Sequence, residues 1–461
     1  MKQSLARGAV YNVICSAGNV LFPLISAAYL SRVLTPEGIG QVAYGQNIVS
    51  YFVMFANLGI PQYGTREIAR REGNEDRLFS ELVTIQLLAT AVSAAAYGTF
   101  LALAVPGESL LYRVLGLELL SQLFNIDWLY QGKEEYGYIA ARSLTVKLFS
   151  LAALLLFVRR REDTVVYGLI LCLGTGCNHV VNLLHGGNYA KLTFQGLRLR
   201  QHLKPVMALM LSAVTASLYC KVDVTMLGAM AGQEQVGFYT SAHKVVNLVL
   251  TLAAAVTGVF LPRLSQMYGG DRESYEACLA MGLKAVLLLA LPGCVGLMLT
   301  AEDLTAVLFG RAFAPAAPVI RILAVLIVIK GAGDLLCYQA LISAGEERKL
   351  ILARVAAGLA NIGLNALLIP RWGCLGAAAA SVASELVVNG ILLAVFLKIA
   401  RPRVGGRFLA GAVLCTLVMA LTVVFLQKLA ENEIVSLVLS VISGVPVYFC
   451  GMLLMKRGGF L

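Results

Sequence analysis

Ionisable side chains lie inside long apolar stretches of this sequence. The clearest case is CKVDV (220–224), where Lys221 and Asp223 are flanked by apolar residues on both sides. Residues two apart point to different sides of a helix, so these two cannot pair with each other. A charge in the middle of a bilayer costs about 3 kcal/mol or more, and such residues therefore usually face the protein interior and mark a pathway.

Similar residues recur in both halves of the chain. The basic ones are Lys147, Lys221, Lys244, Arg321 and Lys330, with Arg32 near the outer end of the first apolar stretch; the acidic ones are Glu118, Asp127, Asp223, Asp334 and Glu385. Lys330 and Asp334 are four residues apart, on one face of a helix, where they can pair. Any single residue could be half of a structural ion pair, or a lysine that reaches a lipid headgroup. The whole set instead indicates a water-filled cleft with basic walls, which would bind an anion such as a phosphate or diphosphate.

The elements that must position these charges are long apolar helices. The chain has 461 residues, of which 59% are hydrophobic and 14% charged, and a soluble protein of this size could not bury so much apolar surface. Continuous apolar runs of about 20 residues predict membrane-spanning helices, not a β-barrel. About fourteen spans are predicted, approximately at residues 8–34, 39–60, 81–105, 110–130, 141–158, 165–184, 205–230, 236–261, 279–299, 318–342, 350–369, 375–399, 408–425 and 434–455.

The distribution of Lys and Arg orients these spans. With both termini in the cytoplasm, most basic residues outside the spans lie in inner loops, as the positive-inside rule requires. The exception is RRRED (159–163), which is either a solvated outer turn or a sign that the fifth and sixth spans are misdrawn. The net charge of +11 then reflects loops that face anionic lipid, and no nucleic-acid partner is predicted.

Two short segments of the first half recur in the second half. EGIGQVAY (37–44) matches EQVGFY (234–239), and GKEEYGYIAAR (132–142) matches GEERKLILAR (345–354). The matches lie six spans apart, which favours a parallel duplication related by an axis along the membrane normal. We therefore predict two six-helix bundles, at 1–200 and 201–403, with the basic cleft between them. Residues 404–461 form two additional spans.

The sequence shows no pattern for a metal, a cofactor or catalysis. The ten cysteines form no CxxC pair, and His179, His185, His202 and His243 lack metal-ligand spacing. The glycine-rich stretch GTGCNHVVNLLHGG (174–187) follows no strand and lacks the lysine of a phosphate-binding loop. We predict neither a metal nor an organic cofactor, and no catalytic residues.

Three segments resemble one family of membrane transporters. LSRVLTPEGIGQVAYGQNIVSYFVMFANLGIPQYGTREIAR (30–70) resembles the opening of bacterial polysaccharide-repeat flippases, the O-antigen and capsule transporters of the multidrug/oligosaccharidyl-lipid/polysaccharide exporter superfamily. KVDVTMLGAMAGQEQVGFYTSAHKVV (221–246), with VFLPRLSQ (259–266), resembles the start of that family's second half. VLFGRAFAPAAPVIRIL (307–323) resembles its loop into the tenth span. The matches cover the first ten spans.

The resemblance implies two helix bundles in a V that open alternately to each side of the bacterial cytoplasmic membrane. The implied cargo is an undecaprenyl-diphosphate-linked oligosaccharide, which is moved from the inner to the outer leaflet for surface polysaccharide assembly. The surrounding membrane lipid, a polysaccharide polymerase and glycosyltransferases are the implied partners. Family members need basic residues in the central cavity, but their positions vary. Our assignment of Lys147, Lys221, Lys244, Lys330, Arg321 and Arg32 to the cargo therefore rests on depth in the membrane.

The resemblance marks two further residues and leaves alternatives open. Asp223 and Arg66 lie within matching segments, which supports their importance without defining a role. A gradient of H⁺ or Na⁺ could drive transport through Asp223 or Asp334, or consumption of the cargo outside the cell could drive it. Glu385 is either a coupling acid or a structural acid. Asn361 and Asn365 could bind sugar hydroxyls, but bonds between helices are favoured.

Three other functions compete with this interpretation. A cation-coupled multidrug exporter of the same fold would need an acidic cavity, which the excess of lysine disfavours. The fourteen spans are similar to those of peptidoglycan-precursor flippases, although the characteristic early motif of those proteins is missing. A membrane enzyme acting on polyprenyl phosphates would need acidic metal motifs or a large outer loop, and the sequence shows neither.

Overall fold

The protein is an all-α polytopic membrane protein. Its computed structural model describes residues 18, 22–70, 75–104, 109–187, 189–193 and 196–457, and every regular element in these ranges is helical. Eight of the described helical stretches are long and apolar enough to cross a membrane. The larger total of fourteen crossings stays a prediction.

Contacts between residues divide the chain into two compact units, with the division between Lys221 and Val222. The helices of the first unit are α1 (22–33), α2 (Pro36–Asn57), α3 (Ile60–Arg70), α4 (Glu75–Ala104), α5 (Ser109–Ser121), α6 (Asp127–Gly132), α7 (Tyr136–Phe157), α8 (Thr164–Gly186) and the greater part of α9 (Arg200–Ala231). The division therefore lies well inside α9, whereas the predicted bundle boundary at 200/201 lies at the start of this helix.

The second unit contains the rest of α9 and the remaining helices. These are α10 (Gln233–Gly258), α11 (Phe260–Met267), α12 (Arg272–Phe309), α13 (Ala316–Gly333), α14 (Ala340–Ser343), α15 (Glu347–Phe396), α16 (Gly406–Leu429) and α17 (Glu433–Arg457). A π-helical turn, Asp334–Gln339, joins α13 to α14. The helix pair α16–α17 packs on α12 around Met419 and Tyr448.

The predicted spans coincide with these helices apart from the following differences, and the tenth is divided into α13, the π-helical turn and α14. The first span is described only at 18 and 22–33. The fourth is broken into α5, a 3₁₀ turn at Gln122–Phe124 and α6. The eleventh and twelfth are continuous in α15 except at Gly373, whose φ of 53° breaks the helix. A side chain at Gly373 would collide with Gln235, since a Cβ there would lie 2.6 Å from Oε1 of that residue.

The RRRED segment forms a short exposed turn between α7 and α8. The Asp163 carboxylate accepts hydrogen bonds from the backbone N–H groups of Arg159 and Arg160, at 2.8 and 2.7 Å. The fifth span therefore ends, and the sixth begins, within one residue of the predicted positions. The side of the membrane on which this turn lies stays a prediction.

The first part of α9 is a structural component of the first unit. Val206 belongs to a core that also contains Trp128 and Tyr130 of α6. Gly59, with φ of 88°, turns the chain from α2 into α3, and a Cβ there would lie 2.7 Å from the backbone nitrogen of Met210. Only glycine allows the turn and α9 to come so close.

Candidate functional site

Asp223 lies at the centre of a buried polar cluster in the second unit. Its side chain on α9 accepts hydrogen bonds from the Tyr239 hydroxyl of α10 at 3.0 Å, and from Asn365 Nδ2 and Ser381 Oγ of α15 at 2.6 and 2.5 Å. The residue is only 7% exposed. All three donors are neutral, so this carboxylate is held by hydrogen bonds without a directly bonded basic side chain among the described residues.

A second row of polar groups extends this cluster along α15. Asn365 also donates to Asn361 Oδ1 at 3.0 Å, and Asn361 donates to Ser384 Oγ at 3.3 Å. The Asn365 Oδ1 atom is buried and has no hydrogen-bond donor among the described residues. His243 stacks on the Tyr239 ring, with 5.9 Å between centroids. The two asparagines thus form bonds within and between helices, as the sequence favoured.

Lys330 pairs with a different acid from the one its spacing suggests. Its Nζ lies 3.5 Å from Glu385 Oε2, whereas the Asp334 carboxylate accepts hydrogen bonds from Thr257 and from Gln339, the latter at 3.1 Å. The Asp334 N–H still bonds to the Lys330 carbonyl oxygen as in a regular α-helix, so acceptors and donors on neighbouring helices decide the partners of both side chains. The expected Lys330–Asp334 pair is therefore wrong. The expected bend near Gly331 and Gly333 takes the form of the π-helical turn that begins at Asp334.

Lys244 is another predicted basic residue of the second unit. Lys244 of α10 is exposed, and no acid in the described part of the chain forms an ion pair with it. The neighbouring His243 is hydrogen-bonded to Asn247 at 3.0 Å. Lys244 and Lys330 thus both have side chains that are at least partly exposed.

Arg321 lies in a polar cavity whose lining contains none of the other predicted basic residues. It donates to Glu302 at 2.7 Å and to the carbonyl oxygen of Met298 at 3.3 Å. Together with Asp303 and Glu433 it lines a polar cavity of about 720 Å³ between α12, α13 and the α16–α17 turn. Arg321 and Lys330 are nine residues apart on α13, so they project from opposite sides of that helix.

The first unit holds the other predicted basic residues. Lys221 of α9 lies close enough to Glu118 of α5 for their charges to interact, and its backbone carbonyl accepts a hydrogen bond from Asn47 at 3.1 Å. Lys147 of α7 is half-buried, and Arg32 of α1 is exposed. Arg66 is a surface residue of α3; it pairs with Glu67 at 3.3 Å and lies over the Tyr63 ring.

Two groups of interacting charged residues in the first unit were not predicted from the sequence. Arg142, with a 6% exposed side chain, donates to Asp127 at 3.1 Å, so both are structural residues. The fully buried Glu81 and His202 are joined at 2.7 Å, and the Tyr63 hydroxyl lies 2.8 Å from the other ring nitrogen of His202. The partners are far apart in sequence, and no local pattern connects them.

Comparisons with known proteins agree with this architecture. The family model described as polysaccharide biosynthesis protein matches residues 5–268, and that of the lipid II flippase MurJ matches 149–443. The chain is 25% identical to a protein of Escherichia coli (strain K12) named an O-antigen transporter, over 85% of this chain and 96% of that protein. It is 23% identical to the succinoglycan biosynthesis transport protein ExoT of Rhizobium meliloti (strain 1021), over 96% of this chain and 91% of that protein.

Solved structures of the same fold are also known. The lipid II flippase MurJ in an inward closed conformation superposes with a TM-score of 0.79 at 14% identity, covering 98% of this chain and all of that one. An inward-facing multidrug resistance transporter of the MATE family superposes with a TM-score of 0.64 at 17% identity, over 82% of this chain and 94% of that one. At such identities these similarities concern the fold alone.

Proposed function

Because the chain belongs to the polysaccharide biosynthesis protein family, we propose that it is a flippase that moves undecaprenyl-diphosphate-linked oligosaccharide across the bacterial cytoplasmic membrane by alternating access. The observation that carries this proposal is the family match. Two relatives named for O-antigen and succinoglycan transport support it, because the alignments cover nearly the full length of both relatives. Both termini would lie in the cytoplasm. The product would supply the assembly of a surface polysaccharide, with glycosyltransferases before it and a polymerase after it.

The diphosphate headgroup is the part of this cargo that a bilayer opposes most strongly, because a multiply charged group cannot enter hydrocarbon without compensation. Lysines on apolar helices provide that compensation. In the second unit we assign this role to Lys244, which is exposed, and to Lys330, whose side chain is 38% exposed and whose contact with Glu385 is long at 3.5 Å. A phosphate oxygen would compete with that carboxylate for the lysine.

In the first unit we assign the same role to Lys147 and Lys221, with Arg32 near the end of its helix. Glu118 near Lys221 would then act as Glu385 does beside Lys330, as the carboxylate that balances the lysine before the cargo binds. Arg321 is bonded to Glu302 in its own cavity, so it is the weakest candidate of the original set. Transport breaks no covalent bond, and the polyprenyl chain would remain in lipid throughout.

Asp223 is our candidate for coupling to an ion gradient. Its buried carboxylate carries a negative charge that neutral donors stabilise only in part, so binding of H⁺ or Na⁺ would lower the free energy of this site. Its hydrogen bonds join α9, α10 and both halves of α15. A cation bound there would therefore change the contacts among three helices. Asp334, which accepts from Thr257 and Gln339, is the second candidate.

The test is transport of labelled lipid-linked oligosaccharide by cells that carry Lys244→Ala together with Lys330→Ala. We expect at least a tenfold fall in transport at normal expression, because two of the assigned compensating charges are removed. Lys349→Ala is the matched control, since that exposed lysine pairs only with Glu346 at 2.6 Å on the surface of its helix. Transport at the control level by the double variant would count against the assigned lysines.

The second candidate function is translocation of a peptidoglycan precursor. It is favoured by the match of residues 149–443 to the MurJ family model. The two functions share the polyprenyl diphosphate and differ in the sugar, so the same lysines would serve both. Growth of cells depleted of their own lipid II flippase, after expression of this chain, would favour the second function; restored surface polysaccharide in cells lacking an O-antigen transporter would favour the first.

A further inference from the structure

The first unit contains an apolar groove that the proposed transport mechanism does not use. It has a volume of about 660 Å³ and lies between α2, α4 and the first turns of α9. Its lining consists of Phe52, Phe55, Leu58, Ile85, Leu88, Ala89, Val92, Ser93, Ala96, Leu199, Leu203, Met207 and Met210. The Ser93 hydroxyl donates to the carbonyl oxygen of Phe52 at 2.7 Å, so the groove offers no unsatisfied hydroxyl to a ligand. A hydrocarbon chain fits this lining.

Two basic residues of α9 lie next in sequence to Leu199 and Leu203, which line this groove. Arg200 and Lys204 are exposed, four residues apart on α9, and Arg200 lies on the same face as Met207, about two turns before it. No carboxylate in the described part of the chain forms an ion pair with either residue. A ligand that fits the whole surface therefore carries a negative headgroup next to a hydrocarbon chain.

Contacts within the first unit fix the start of α9, which carries these two basic residues. His202, between the two basic residues, is buried and bonded to Glu81 and Tyr63. Glu81 also accepts a hydrogen bond from the backbone N–H of Arg198 at 2.7 Å. Val206 packs in the core of the unit, and the close contact at Gly59 fixes the next turn. The start of α9 is thus held by contacts within the first unit, so little conformational entropy opposes binding.

We propose that this groove binds one acyl chain of an anionic phospholipid whose phosphate contacts Arg200 and Lys204. Basic residues between membrane helices at the cytoplasmic surface attract anionic headgroups, and the positive-inside rule places the start of α9 at that surface. The charge complementarity distinguishes this groove from an ordinary apolar helix face, which any lipid covers. The proposal concerns lipid binding and does not depend on the cargo of the transporter.

The test is native mass spectrometry of the purified full-length chain with phosphatidylglycerol or with phosphatidylcholine of the same acyl chains. The intact protein should retain phosphatidylglycerol preferentially. Arg200→Gln with Lys204→Gln should reduce that preference about thirtyfold, as expected for two basic residues near a membrane surface. Arg159→Gln with Arg160→Gln is the matched control, since both arginines are exposed in the turn between α7 and α8.

A second variant tests the groove separately from the charges. Ala89→Phe fills it and should weaken binding of both phospholipids; Val92→Trp, at a 71% exposed position, serves the same purpose if the first variant does not fold. Unchanged phosphatidylglycerol binding in the charge variant would overturn the proposal. Unchanged binding in both filled variants would overturn the assignment of the acyl chain to the groove. Preferential retention of undecaprenyl phosphate over phosphatidylglycerol would overturn the choice of a phospholipid.

Discussion

The replacement of Asp223 by asparagine separates the charge of the buried cluster from its hydrogen bonds. The new amide has nearly the volume of the carboxylate, and its oxygen can still accept a hydrogen bond from Asn365. Its NH₂ group needs an acceptor, which the hydroxyl oxygens of Tyr239 and Ser381 can supply when their O–H groups rotate, because those two lie 3.0 Å apart. We therefore expect the free energy of unfolding to change by less than about 1 kcal/mol.

The same replacement should abolish coupling to the ion gradient. An asparagine carries no charge, so neither H⁺ nor Na⁺ gains the electrostatic stabilisation that the carboxylate offers. We expect transport to fall at least about tenfold, and the remaining transport to lose its dependence on the gradient. Asp223→Ala should do the same and also destabilise the fold by about 1–3 kcal/mol, because it removes an acceptor shared by three buried donors.

Both effects can be measured on purified protein. Thermal unfolding in detergent reports the change in stability, and transport of labelled lipid-linked oligosaccharide into proteoliposomes, under an imposed pH or Na⁺ gradient, reports coupling. Asp303→Asn is the matched control, because among the described residues Asp303 also accepts hydrogen bonds from neutral side chains, Gln427 and Ser436, in the cavity that contains Arg321. Normal, gradient-dependent transport by Asp223→Asn would refute the role of this carboxylate. Unfolding as severe as that of the alanine variant would refute our account of its hydrogen bonds.

Three further predictions concern stability, measured by thermal unfolding. Gly59→Ala should destabilise by about 2 kcal/mol or more, because its backbone is left-handed and α9 leaves no room for a side chain, whereas Gly98→Ala, which meets nothing within 4 Å, should not destabilise. Arg142→Met should cost about 3 kcal/mol by leaving a partly buried aspartate unpaired, whereas Arg311→Met, at an 88% exposed arginine, should cost less than about 0.5 kcal/mol. Asp271 caps α12, and hydrogen bonds from the Ser274 hydroxyl and from two backbone N–H groups lower its pKa below the ordinary 3.8. The stability that this carboxylate contributes is therefore present above pH 3.8 and is lost as the pH falls through the lowered pKa. Asp271→Ala should destabilise the protein at pH 7 and should not do so in strong acid.

The sequence alone determined the helical architecture and the residues of interest. A span of hydrocarbon requires about 20 apolar residues, so the positions of the helices can be read from composition along the chain. Local signals also set particular ends: Thr35 followed by Pro36 begins α2, where the Thr35 hydroxyl accepts from Gly38 at 3.1 Å. Charges inside such segments are visible without coordinates, because their cost in lipid makes them rare.

The tertiary structure decided which partners these charges have. Asp223 bonds to Asn365 and Ser381, more than 140 residues away in sequence, and only packing of α9 against α15 brings them together. The spacing of Lys330 and Asp334 suggested a pair, but Lys330 contacts Glu385 of α15 and Asp334 bonds to Thr257 of α10. Sequence spacing predicts contacts only where the partner lies on the same helix. Partners on other helices depend on how whole helices pack, and that is a property of the folded chain.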